Sequence, residues 1–169
     1  MSTVDEKQRT EVERIVDEAL AEQPDGPGRT HLIEHHIRVT EERPFKHKLR
    51  RYSDAVLQEA RRTVDKWSED QVIEPSASDY SLAPVLVKKS DGMYRMCIDY
   101  RDINAQTVKD AYPVGSMDAI LDKLRGVKYI SKVDLKNAYL QVPMTPASKK
   151  YTALSVPAKG LHHFVTMPI

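Results

Sequence analysis

The chain of 169 residues contains a single cysteine, Cys97. That excludes an internal disulfide framework, and it excludes a thiolate zinc cluster, which needs several cysteines at set spacings. It also points to a reducing compartment. No stretch approaches the roughly eighteen consecutive apolar residues of a membrane-spanning helix. The start, MSTVDEKQRTEVER, is too charged for a secretory signal. The 10 prolines and 6 glycines are scattered, so this is not a low-complexity chain. What is present, 40% apolar and 30% charged residues, suffices for one sizeable core. A soluble, intracellular, cytoplasmic protein with no membrane partner is expected.

The formal net charge of +1 conceals a gradient. Residues 1–25 hold three Lys/Arg against eight Asp/Glu, whereas residues 82–169 hold thirteen against seven. Between them RPFKHKLRR (43–51) carries five basic residues and no acid. Such a run is either a solvated linker or a phosphate-binding stretch, because nucleic-acid affinity follows local potential rather than the sum.

Helical spacing of Val12, Ile15, Val16, Ala19 and Leu20 predicts an amphipathic helix. PDGPG (24–28) ends it as a linker, and the chain from there to about residue 50 shows no periodicity. A stronger stripe, Val56, Leu57, Ala60, Val64 and Trp67, predicts a helix over 54–69, capped by Ser53 or Asp54 and braced by an Arg61–Asp65 pair. LAPVLVKKSDGMYRMCIDY then reads as two strands joined at Ser90-Asp91-Gly92. Alternation puts Arg95, Cys97 and Asp99 on one face and Tyr94, Met96, Ile98 and Tyr100 on the other. Residues 116–126 predict a compact helix with Ser116 as N-cap, Gly126 as stop, and Met117, Ile120, Leu121 and Leu124 inward. VKYISKVDL (127–135) predicts a strand, and KKYTALSVPAKGLHHFVTMPI two strands around a proline–glycine turn. The order is that of an α+β fold.

LAPVLVKKSDGMYRMCIDYRDIN, DAYPVGSMDAILDKLRGVKYISKVDLKNAYLQVPM, KKYTAL and FVTMPI occur in this order and together resemble the fingers and first palm segment of a reverse transcriptase, the polymerase of gypsy-type LTR retrotransposon pol polyproteins. Any one of them alone would be weak; the agreement of several ordered motifs is specific. The resemblance implies a right-hand polymerase of α+β class, with a partial reverse transcriptase domain over 31–169. Residues 1–30 carry no such match and form a variable amphipathic and linker segment. The implied partners are an RNA or DNA template-primer, deoxynucleoside triphosphates, and the remaining palm, thumb and RNase H. The implied cofactor is Mg²⁺, with Mn²⁺ as substitute.

The site follows residue by residue. A lone aspartate closing an apolar run is ordinarily a turn residue that bonds nearby N–H groups. Hard divalent cations, however, take carboxylate and carbonyl oxygens. The resemblance makes Asp134 the first catalytic metal ligand, with the carbonyl of Leu135 beside it. It gives Lys88 or Lys89, with Arg95, the triphosphate grip. By the same resemblance Tyr139 would lie under the deoxyribose and exclude a 2′-hydroxyl, while Arg50 and Arg51, from the basic run, are expected to meet nucleic-acid phosphates. Asn137 stands where relatives are acidic or neutral. His35-His36 and His162-His163 read as ordinary residues, since neighbours on a strand face opposite ways. After FVTMPI, relatives continue to a hairpin with two more metal-binding aspartates, so residues 1–169 alone are expected to be inactive as a polymerase. A non-catalytic fragment that binds nucleic acid or a protein partner is the alternative.

Overall fold

The computed structural model describes residues 5–22, 26, 28–113 and 115–168. Its helices are α1 (Glu6–Ala21), α2 (Asp54–Glu69), α3 (Arg101–Gln106), α4 (Met117–Lys123) and α5 (Pro146–Lys149). Its strands are β1 (Ile73–Pro75), β2 (Pro84–Lys88), β3 (Tyr94–Ile98), β4 (Leu154–Val156) and β5 (Gly160–Phe164). They fall into two compact units, Met1–Gly26 with Asp110–Lys136, and Pro27–Lys109 with Asn137–Ile169. Pro24, Asp25 and Pro27 of the expected linker lie outside the described residues, as does Ile169 of FVTMPI.

In the first unit, α1 is stitched by its own charges. Arg14 bridges Glu11 and Glu18 at 2.7 and 2.6 Å, and Arg9 reaches Glu13 at 3.0 Å. Its apolar stripe buries nothing. α4 starts as expected, with the Ala119 N–H donating to the Ser116 hydroxyl, but ends at Lys123, ahead of the expected stop; Gly126, left-handed at φ 79°, closes the turn that follows. Two expectations fail in this unit. The face of Met117, Ile120, Leu121 and Leu124 is exposed rather than inward. Residues 127–135 form no strand, so Asp134 does not close one. A strand needs a ladder neighbour for its N–H and C=O groups, and no described residue pairs with this segment.

The second unit holds the core. β1, β5 and β4 form an antiparallel sheet in that spatial order, with Ile73 opposite Phe164 and Leu154 opposite His162. α2 covers it, burying Ala60 and Val64 against Val72, Leu82, Leu154 and Phe164, while Trp67 meets Phe164 at 5.3 Å between ring centres. The Arg61–Asp65 brace is absent. Arg61 instead donates to the Pro157 carbonyl at 3.1 Å and Asp65 holds Lys159, so both side chains tie the helix to the β4–β5 turn. Lys149–Thr152, expected as strand, is helical.

The aperiodic stretch 28–47 is an extended strap. Thr30 N–H donates to the Gln141 carbonyl at 2.8 Å and His35 N–H to Pro143 at 2.7 Å. Ile37 N–H donates to the Ser148 hydroxyl, and Thr40 N–H to the Gln106 carbonyl at 2.8 Å. Ile37, Val39 and Phe45 close a second cluster around Tyr80, Ile103 and Tyr151.

Candidate active site

The β2–β3 hairpin pairs Val85 with Cys97, Val87 with Arg95 and Lys88 with Tyr94. The ladder runs one step further, Lys89 N–H donating to the Met93 carbonyl at 2.8 Å, and closes at Gly92, whose φ of 83° favours glycine. The strand period therefore puts Lys89 on the face of Val87 and Arg95, and Lys88 on the face of Tyr94 and the buried Met96. The register thus separates two lysines that the sequence left equivalent. Lys89 lies 3.6 Å from Asp91 across the turn. Arg95 is exposed and has no ion pair among the described residues.

Tyr139 belongs to a 3-10 turn, Ala138–Gln141, entered through Asn137 in the left-handed region at φ 54°. Asparagine tolerates that conformation better than most residues, which gives Asn137 a backbone reason for its place. The turn is anchored by buried Leu140, whose N–H donates to the Asn137 carbonyl at 2.9 Å, whereas Tyr139 is 55% exposed. Its ring borders a cavity of about 340 Å³ shared with Ile37, Tyr100, Ile103, Asn104, Thr107 and Met167. The Tyr100 hydroxyl is buried without a partner among the described residues, and burial raises its pKa.

Asp134 and Leu135 lie in the first unit, and Lys88, Lys89, Arg95, Tyr139, Arg50 and Arg51 in the second. Asp134 and Leu135 are both exposed. The Asp134 carboxylate has no hydrogen bond or ion pair among the described residues. An unengaged carboxylate beside a carbonyl fits the hard-oxygen chemistry of Mg²⁺. No group of three His, Cys, Asp or Glu side chains with metal-site geometry occurs among the described residues. His163 is fully used on β5. Its Nε2 meets Glu74 at 2.8 Å and its Nδ1 meets the Ser76 hydroxyl at 2.8 Å. Lys149 at 2.7 Å, and then His163, hold the Glu74 carboxyl below its usual range.

Arg50 lines a cleft of about 390 Å³ with His47, Lys48, Val85, Asp99 and Arg101. Sequence reasoning missed His47 and Arg101. His47 is stacked on Phe45 at 4.8 Å and bonded through Nε2 to Asp102 at 2.7 Å. Arg101 grips Asp99 with two bonds, 2.9 and 2.6 Å, and this guanidinium holds the Asp99 carboxyl well below the usual carboxylate range. The available signal was alternation, with Phe45 and His47 half-buried between exposed Lys46 and Lys48.

Residues 87–167, which contain Arg95, Asp134 and Tyr139, match the family model described as reverse transcriptase (RNA-dependent DNA polymerase). They belong to the reverse transcriptase family. The chain is 30% identical over 143 residues to the retrovirus-related Pol polyprotein from transposon 412 of Drosophila melanogaster, covering 81% of this chain and 12% of that one. It is 27% identical to the enzymatic polyprotein of Cauliflower mosaic virus (strain Strasbourg), covering 98% of this chain and 25% of the other. The foamy viral protease-reverse transcriptase in complex with double-stranded DNA superposes with a TM-score of 0.81 at 20% identity, over 99% of this chain and 30% of that one. The fold is thus the fingers and palm of a reverse transcriptase, and the chain spans a small part of the relatives it matches. Among the described residues no helix is long and apolar enough to cross a membrane.

Proposed function

We propose that this chain supplies the nucleotide-binding fingers and first palm segment of an RNA-directed DNA polymerase from a gypsy-type LTR retrotransposon. The remaining palm, thumb and RNase H are its partners, and a template-primer and deoxynucleoside triphosphates its substrates. The observation that carries this reading is the match over 87–167, which takes in Arg95, Asp134 and Tyr139 together.

Asp134 and the Leu135 carbonyl would hold Mg²⁺. When bound, the ion neutralises triphosphate charge and favours ionisation of the primer 3′-hydroxyl. The planar fork of Arg95 suits two phosphate oxygens at once, and Lys89 adds a point charge on the same face. To do so Lys89 exchanges Asp91 for phosphate. Tyr139 under the sugar makes a 2′-hydroxyl costly. Arg50, Arg51 and the cleft cations meet template phosphates, which makes binding strongly salt-dependent.

The test is titration of residues 1–169 with Mn²⁺ and dCTP. Binding of Mn²⁺·dCTP should weaken at least about tenfold in Asp134→Asn and in Arg95→Ala, the loss of a charge-assisted contact. Lys89→Ala should weaken it more than Lys88→Ala. Equal affinity in the parent and Asp134→Asn would remove Asp134 from the metal site.

A further inference from the structure

Exclusion by a ring is only as strong as the ring's inability to retreat. The backbone under Tyr139 cannot move easily. Leu140 is buried, Val142 N–H donates to the Tyr139 carbonyl at 3.2 Å, and Met167 N–H donates to Val142 at 2.7 Å. The ring itself has open space beside it, in the cavity of about 340 Å³ described above. A ring that can rotate into free volume yields to a 2′-hydroxyl for the cost of a side-chain rotation, which is smaller than the cost of an unrelieved clash.

Other residues that line that cavity are held stiffly. Ile103 is 2% exposed at the centre of α3. Thr107 donates its hydroxyl to the Ile103 carbonyl at 2.8 Å and pairs with Val39 of the strap. Asn104 lines the same cavity from an exposed position on α3, so its side chain can change size without disturbing the core.

We infer that Asn104 is a positioning residue for sugar choice, setting from behind how far Tyr139 can withdraw from the nucleotide. This rests on the nucleotide-seat reading of Tyr139. Enlarging residue 104 fills the retreat and sharpens discrimination, and shrinking it does the reverse. The effect passes through the ring, so it vanishes when the ring is gone.

The experiment compares the ratio of dissociation constants for Mn²⁺·CTP and Mn²⁺·dCTP on residues 1–169. Asn104→Phe should raise the ratio and Asn104→Ala lower it, each by roughly threefold, as expected for coupled neighbours. In a Tyr139→Val background, Asn104→Phe should leave the ratio unchanged. Circular dichroism of the variants should match the parent, because residue 104 is exposed. A ratio that stays constant across the residue 104 variants but collapses in Tyr139→Val would overturn the inference and leave the seat reading standing. A ratio indifferent to Tyr139→Val would overturn both, and so would a parent that binds neither nucleotide. An effect of Asn104→Phe that persists without the tyrosine ring would show direct contact and also overturn the inference.

Discussion

Residues 127–135 and residues 154–164 read almost alike in sequence: short apolar, β-prone runs, each with a stretch of alternation. In the folded chain they part completely. Leu154, Val156 and Phe164 are buried in a paired sheet, whereas Val127, Tyr129, Ile130 and Val133 are all exposed and unpaired among the described residues. The same contrast separates α2 from α1 and α4. Each shows an amphipathic stripe, yet of the three only α2 buries any of its residues. Pattern specifies what a segment can become, and a partner decides whether it does.

The largest expected effect tests this directly. Phe164→Ala should cost about 3–5 kcal/mol in urea unfolding, since it removes a ring from a filled core. Ile130→Ala should stay within about 0.5 kcal/mol, as for exposed substitutions elsewhere. A cost at Ile130 near that of Phe164 would mean that the first unit carries a core of its own. Function should divide the other way. Asp134→Asn should leave the unfolding midpoint unchanged while removing Mn²⁺ binding, because the carboxylate supports no described neighbour. A loss of stability comparable to that of a core substitution would make Asp134 structural.

Nucleic-acid binding sharpens the comparison further. Arg50→Ala with Arg51→Ala should reduce the slope of log affinity against log salt by roughly 2, one unit or slightly less per phosphate contact. An unchanged slope would return RPFKHKLRR to the status of a solvated linker. The smallest effect concerns His35, which is half-buried in the strap and whose pKa is lowered by burial and then by His36. On acidification the unfolded chain takes up that proton first, near the ordinary histidine pKa of about 6.5. The stability tied to neutral His35 is therefore complete above that pH and is lost as the pH falls toward the folded-state value. The fall in Tm between about pH 7.5 and 5.5 should be shallower in His35→Phe; an identical fall would show that other groups carry the acid sensitivity.

Much of the second unit was legible. The 54–69 helix, the 84–98 hairpin and the β4–turn–β5 unit are local, and their caps, turns and periods lie within a few residues of one another. The strap was not legible, because it is defined by bonds to residues 81, 106–108 and 141–148 that no local pattern announces. α3 was missed for a related reason, being six residues long and held by Ile103 alone in the core. At the site, chemistry was easier to read than geometry. The hairpin lysines were recognisable as a pair, but separating Lys88 from Lys89 by face required the register. His47 and Arg101 became visible only when the strap had brought residues 47–50 beside residues 99–102.

The bridges of that strap also impose an order in time. Thr30 and His35 find their carbonyls only after residues 141–143 exist, and β1 finds its neighbour only after Phe164 does. At a synthesis rate of about 5–20 residues per second, α2 waits roughly 5–20 s with the part of its apolar stripe that meets Leu154 and Phe164 uncovered. During that interval the nascent chain is a client for whatever binds exposed amphipathic helices, and closure comes in one late event. A ribosome-arrested chain ending near residue 140 should therefore be cut by protease throughout 28–83, while one extended well past residue 164 should resist.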